Sequence, residues 1–236
     1  MAEAGAKRFY TLVESVAVDG GYRVELDGRA VRTPAGNPLV LPTAALADGI
    51  RDEWDAQEAK IDPASMPLMQ LACTAADRVA PNRSAILDQT ANYGATDLLC
   101  YFSDGPKELV QRQREGWQPF LDWAEQELSA PLVAAMGVLH VPQPETSLSR
   151  LRDALAALDD WNLTAAAHLT QVLGSLVLAL AVCRGRLAPV EAFRLSVIDD
   201  HFQAERWGED REAVQRLRAL EREVEGATVF LERLRS

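Results

Sequence analysis

The hydrophobic period of this chain changes at Pro42-Thr43, and that switch limits the fold more than any other feature. Before it, Tyr22, Val24 and Leu26 alternate with Arg23 and Glu25, the period of two expected of a half-buried strand. Asp19-Gly20-Gly21 separates this segment from residues 8–18, which are rich in β-branched and aromatic side chains. Glycine supplies the positive φ that a tight hairpin turn needs, so a hairpin is expected there. Asp27-Gly28 is a second turn signal. Residues 30–33 and 38–41 read as short further strands separated by Pro34-Ala35-Gly36-Asn37. Together they predict an antiparallel meander of four or five strands.

After the switch the period is helical. Thr43 is placed as an N-cap, and Leu46, Ile50 and Trp54 follow at spacing four, predicting a helix to about Lys60 that Asp62-Pro63 ends. Residues 66–79 are apolar and read as a buried helix. Asn82 or Ser84 caps the next, which carries Ile86, Leu87, Thr90 and Tyr93; residues 96–102 either continue it or turn extended. A long helix opens at Pro106 and runs to about Leu128 with a stripe of Leu109, Gln113, Trp117, Phe120, Leu121, Ala124 and Leu128, a β-like or irregular stretch covers 130–141, and Pro144 starts a helix through Leu158. Asn162 or Thr164 is expected to cap a buried helix closed by Arg184-Gly185. Pro189 opens a helix ending near Gly208, and residues 209–235 form a final amphipathic helix. The expected fold is therefore α+β: a small N-terminal antiparallel β domain at 1–42, then a larger, mostly α-helical domain at 43–236.

Composition narrows the function classes. The formal charge of −11 repels a phosphate backbone and anionic lipid, so neither nucleic acid nor a membrane surface is an expected partner. The longest apolar run, 172–183, is broken by Gly174-Ser175 and is too short to span a bilayer, which takes about 20 residues. Cys73, Cys100 and Cys183 are odd in number and widely spaced, with no CxxC. That disfavours a disulfide framework or structural zinc and fits a reducing compartment. The first ten residues hold neither the apolar stretch of a signal peptide nor an Arg- and Ser-rich leader. The expected location is the cytoplasm of a bacterium, or the mitochondrial matrix for a processed form.

The motifs of phosphate binding and of a nucleophile elbow are absent, and His140, His168 and His201 stand apart from one another. A Cys100/His168 or Cys183/His201 dyad would require proximity in the fold. It defines the alternative reading, a small-molecule hydrolase or transferase with a cleft between the β and helical parts, which a strongly perturbed Cys100 would favour. Asp77, Asp97, Asp122, Asp199 and Asp200 are read first as caps, salt bridges or solvated groups. Glu205 is different. It follows Ile198 by seven residues, about 20° off the stripe of Val190, Phe193, Val197, Ile198 and Phe202. A carboxylate continuing an apolar stripe either lies at an exposed helix end or meets a donor. Trp207, beside Gly208 and among Glu205, Glu209 and Asp210, has the placing of an interface aromatic.

Three stretches in order resemble one family: Trp54-Asp-Ala-Gln57 with Ile61-Asp-Pro, Met66-Pro67-Leu68 and the run from Leu71 to Asp77; Tyr93-Gly-Ala-Thr96-Asp97-Leu98-Leu99-Cys100-Tyr101 with Leu109, Gln113, Trp117 and Pro119; and Gly174-Ser175 with Phe202-Gln203-Ala-Glu205-Arg-Trp207-Gly208. The ordered set is similar to the assembly chaperones of F-type ATP synthase that protect the free alpha subunit of the catalytic sector. The resemblance runs from Phe9 to the last helix. It implies a chaperone rather than an enzyme, with no cofactor and a monomer when free. Its implied partner is the unassembled alpha subunit, covered until it pairs with beta. The position it carries over is Glu205, and the expected partner-binding set is Glu205, Trp207, Gln203, Asp210, Asp97 and Tyr101. After Trp-Gly the family often carries a His-Asp, which Glu209-Asp-Arg-Glu-Ala lacks here.

Overall fold

The computed structural model describes residues 6–236. The fold is α+β, a small antiparallel sheet followed by a mostly helical chain. Contacts divide it into two compact units. One takes in the chain up to Arg83 together with Asp160–Ala165 and Gly226–Ser236; the other is Ser84–Asp159 with Ala166–Glu225. The expected division at 42/43 falls inside the first unit, because the sheet buries its apolar face against the helices that follow it.

In the first unit β1 (Val13–Val18), β2 (Gly21–Leu26) and β3 (Arg29–Ala30) form a three-stranded antiparallel sheet in that order, with Val13 opposite Leu26. Three strands replace the four or five expected. Residues 38–41 add only single bridges, Leu41 to Tyr22 and Pro38 to Arg32. The turn stands where Asp19-Gly20 places it, with Gly20 at φ 82°. Val24 and Leu26 point to α1 (Ala44–Asp55), whose Leu46 and Ile50 are fully buried. The Thr43 side chain accepts from Leu46 N at 3.1 Å and donates to the Arg233 carbonyl at 2.6 Å, so one hydroxyl caps α1 and ties down the C-terminal helix. α1 ends at Asp55, one turn earlier than expected.

Glu53 on α1 caps α2 (Pro67–Thr74), accepting from Leu68 N at 2.7 Å and Met69 N at 2.8 Å. Burial pushes its carboxyl up to about 7 against the opposing pull of those two bonds. One π-helical turn, Ala75–Val79, follows. The end of the last helix closes this unit: Phe230 is fully buried, 6.3 Å from the Trp161 ring, and a Cβ on Gly226 would lie 2.7 Å from Pro67.

The second unit starts within α3 (Arg83–Ala91). Two 3-10 turns lead from it to β4 (Tyr101–Phe102), so residues 96–102 take the extended option only at their end. β4 pairs in parallel with β5 (Ala135–Met136). α4 (Lys107–Leu128) carries the predicted stripe, with Leu109, Gln113, Trp117, Leu121, Ala124 and Leu128 buried and Phe120 half-buried. α5 (Glu145–Ala156) follows, and then the fold departs twice from one-helix expectations. The buried helix is two, α6 (Asp160–Leu173) and α7 (Leu176–Cys183), divided at Gly174 with φ 64°. The caps proposed at Asn162 and Thr164 lie inside α6. Ser175 caps α7 instead, its hydroxyl accepting from Leu178 N at 3.1 Å. The helix from Pro189 is also two, α8 (Pro189–Ser196) and α9 (Ile198–Trp207), broken where Val197 leaves helical geometry at φ −117° and ψ 23°. α10 (Arg211–Arg235) ends the chain. α7 is apolar all round and buried from Leu176 to Val182, the expected fate of a helix with no polar face. α4 packs against α7, α8 and α9.

Candidate partner-binding corner

The corner is built where α9 crosses α4. Trp117 of α4 is buried and donates from Nε1 to the Leu195 carbonyl at 2.8 Å, using an acceptor that the break at Val197 leaves free of the helix ladder. Gln113 has no exposed surface. Its Oε1 accepts from Ser103 N at 2.7 Å, and its Nε2 donates to Asp199 Oδ1 at 2.6 Å. Burial raises the Asp199 carboxyl, the Gln113 bond lowers it and the charge of Asp200 adds to the rise. Asp200 in turn pairs with Arg216 of α10.

Toward solvent, two ion pairs join the same helices. Arg112 is bidentate on Glu205, Nη1 to Oε1 at 2.9 Å and Nη2 to Oε2 at 2.8 Å. Arg206 donates from Nη2 to Glu108 Oε2 at 2.6 Å. The ring of Phe202, buried beneath them, has the Arg112 guanidinium carbon 5.3 Å and that of Arg206 5.2 Å from its centroid. That is the range of cation–π attraction. The bond from Arg112 holds the Glu205 carboxyl below its usual range, and Glu205 raises Arg112. Both options left open for Glu205 are realised: the helix end is exposed, and the carboxylate has met a donor. Arg112, Glu108 and Arg206 carried no signal in the sequence, because charges that neighbour a stripe are ordinary and the crossing of α4 with α9 is tertiary.

Trp207 is 74% exposed at the last residue of α9, and Gly208 at φ 90° ends the helix. Gln203 is also exposed. Asp210 accepts from Ala213 N at 3.0 Å and so caps the first turn of α10. These four expected residues share one corner because they are close in sequence.

Asp97 does not belong to it. It has no exposed surface. Its Oδ1 accepts from Leu99 N at 3.1 Å and from the Ser175 hydroxyl at 2.7 Å, and Oδ2 accepts from Val177 N at 3.0 Å. The carboxylate is a cap shared by a 3-10 turn and α7. Full burial pushes its carboxyl up, while Val177 N and the Ser175 hydroxyl lead the donors pulling it down. Tyr101 is half-buried on β4, its hydroxyl 3.2 Å from His140 Nδ1. Met136 at the end of β5, with Val138 and Leu139 just after it, forms a second exposed apolar stretch.

The Cys100/His168 dyad finds little support. Cys100 is perturbed, but upward: burial and the charge of Asp97 push its thiol to about 12, away from the thiolate that a nucleophile needs. His168 is half-buried on α6, 3.7 Å from Glu223, and desolvation lowers it. Among the described residues no group of three or more His, Cys, Asp or Glu side chains could hold a metal ion, and no helix is long and apolar enough to cross a membrane.

Comparison with known proteins supplies the family. The model of the ATP12 chaperone protein family matches residues 7–125. The mitochondrial protein atp12 of Schizosaccharomyces pombe is 23% identical over 214 residues, which span 86% of this chain and 74% of that protein. The crystal structure of Atp12 from Paracoccus denitrificans superposes with a TM-score of 0.92 at 44% identity, over 97% of this chain and 98% of that one. A mutant of P. denitrificans Atp12p gives the same values. The chain belongs to the ATP12 chaperone family, the ATP synthase assembly chaperones that its motifs resemble.

Proposed function

We propose that this member of the family binds the unassembled alpha subunit of F-type ATP synthase through the corner at the end of α9, and covers the surface that alpha later shows to beta. The observation that carries the reading is Trp207, a large aromatic left 74% exposed at a helix end and followed by Glu209 and Asp210. Tryptophan is among the residue types most enriched at interface hot spots, and desolvating one in a partner's pocket yields more than burying a smaller side chain. Carboxylates around it favour a basic surface on the partner and steer the encounter. A client covered in this way is kept from self-association without chemistry, and release follows when beta competes for the same surface. The reading places the protein in the bacterial cytoplasm or the mitochondrial matrix, as a monomer when free.

The test is co-expression with an alpha subunit, followed by co-purification and light scattering of alpha alone. Retention of alpha in solution by this chain is the expected result. Equal aggregation of alpha with and without it rejects the reading.

A further inference from the structure

The surroundings of Glu205 suggest that it does not meet the partner itself. Its two oxygens both accept from Arg112, and the neighbouring carboxylate on α4, Glu108, pairs with Arg206. A partner arginine binding Glu205 would leave Arg112 without its anion above the Phe202 ring. α9 itself has only ten residues and no side-chain cap at its N-terminus. A helix of that length is marginal alone, so tertiary contacts hold its end. In its last two turns those contacts are the buried Phe202 ring and the two ion pairs to α4. Trp207 follows Glu205 by two residues, on the last turn that the pairs secure.

Resting on the client reading above, we propose that Arg112 and Glu205 are positioning residues: their bidentate pair clamps the last turn of α9 on α4, and Trp207 is the group that touches the client. Glu205 then matters to binding through Arg112, not through a charge on the partner. The two ideas separate under charge reversal. A carboxylate that meets the partner cannot be replaced by a cation. A clamp works in either polarity.

The experiment uses the full chain with Glu205→Arg, Arg112→Glu and the double exchange. It reads alpha-subunit retention in co-purification, and amide hydrogen exchange of residues 203–207 in the free protein. Each single reversal puts like charges face to face. Each is expected to speed exchange in the last turn of α9 and to lower retention by about tenfold. The double exchange is expected to restore both to within about threefold of the starting protein, since the pair re-forms with opposite polarity. Retention that stays low in the double exchange, with exchange rates restored, overturns the proposal and makes Glu205 a direct contact. Exchange rates that no single reversal changes overturn it too. Failure of the unmodified protein to hold alpha rejects the client reading, and the exchange measurement still decides whether the clamp exists.

Discussion

Asp97→Asn separates a recognition carboxylate from a structural one. The side chain has no exposed surface, and the Ser175 hydroxyl, Leu99 N and Val177 N all donate to it. A site made of donors is satisfied by an acceptor-only group, which is the ionised carboxylate. Asparagine keeps the shape and one oxygen, enough for the two bonds now made by Oδ1. Its amide nitrogen then faces Val177 N, donor against donor, with no water to relieve it. An orphaned buried donor costs about 1–3 kcal/mol, and bonds to a charged group stand toward the upper end. For a chain of this size 1 kcal/mol moves the thermal midpoint by about 2–4 °C, so a drop of roughly 4–10 °C is expected. Asp97→Ala removes all three acceptor contacts and is expected to cost more. The assay is thermal unfolding by circular dichroism, paired with alpha-subunit retention measured well below the midpoint. An unchanged midpoint with retention lost in Asp97→Asn would refute this reasoning and return Asp97 to the partner-binding set.

Trp207→Ala is expected to leave the unfolding free energy within about 0.5 kcal/mol of the parent, because an exposed side chain is removed, and to weaken alpha-subunit binding by about 2 kcal/mol or more in calorimetry. Thr43→Ala loses both the cap of α1 and the bond to the Arg233 carbonyl, and is expected to cost about 1–2 kcal/mol in urea unfolding. Glu53, held near 7 when folded, keeps a proton that the unfolded chain releases above the ordinary carboxyl value of 4.5. Its contribution to stability is therefore present at the acid end and declines as pH rises from about 4.5 to about 7. Carbon NMR of the Glu53 carboxyl is expected to show a midpoint near 7; an ordinary midpoint near 4.5 would mean that the two backbone bonds fully offset burial.

Local signals in the sequence survived wherever a feature depends on neighbours along the chain. The Asp19-Gly20 turn, the Thr43 cap, the stripe of α4 and the end of α9 at Gly208 all need only a few adjacent residues, and each is where the sequence places it. The family could be read from motifs for the same reason, since they are contiguous. The helix breaks were hidden: leucine and alanine on both sides of Gly174 keep the apolar pattern running, and Val197 fits its stripe while its backbone leaves the helix.

What only the tertiary structure decided was which polar groups meet. Asp97 stands beside hydrophilic-looking Thr96, yet α7 brings Ser175 and Val177 onto it and buries it completely. Glu205 was legible as a carboxylate on an apolar line that needed either solvent or a donor. That the donor is Arg112, 93 residues earlier, follows from the packing of α9 on α4. Burial and pairing are sums over contacts distant in sequence, whereas periodicity, turns and caps are set within one or two turns of chain, and a single sequence displays only the latter.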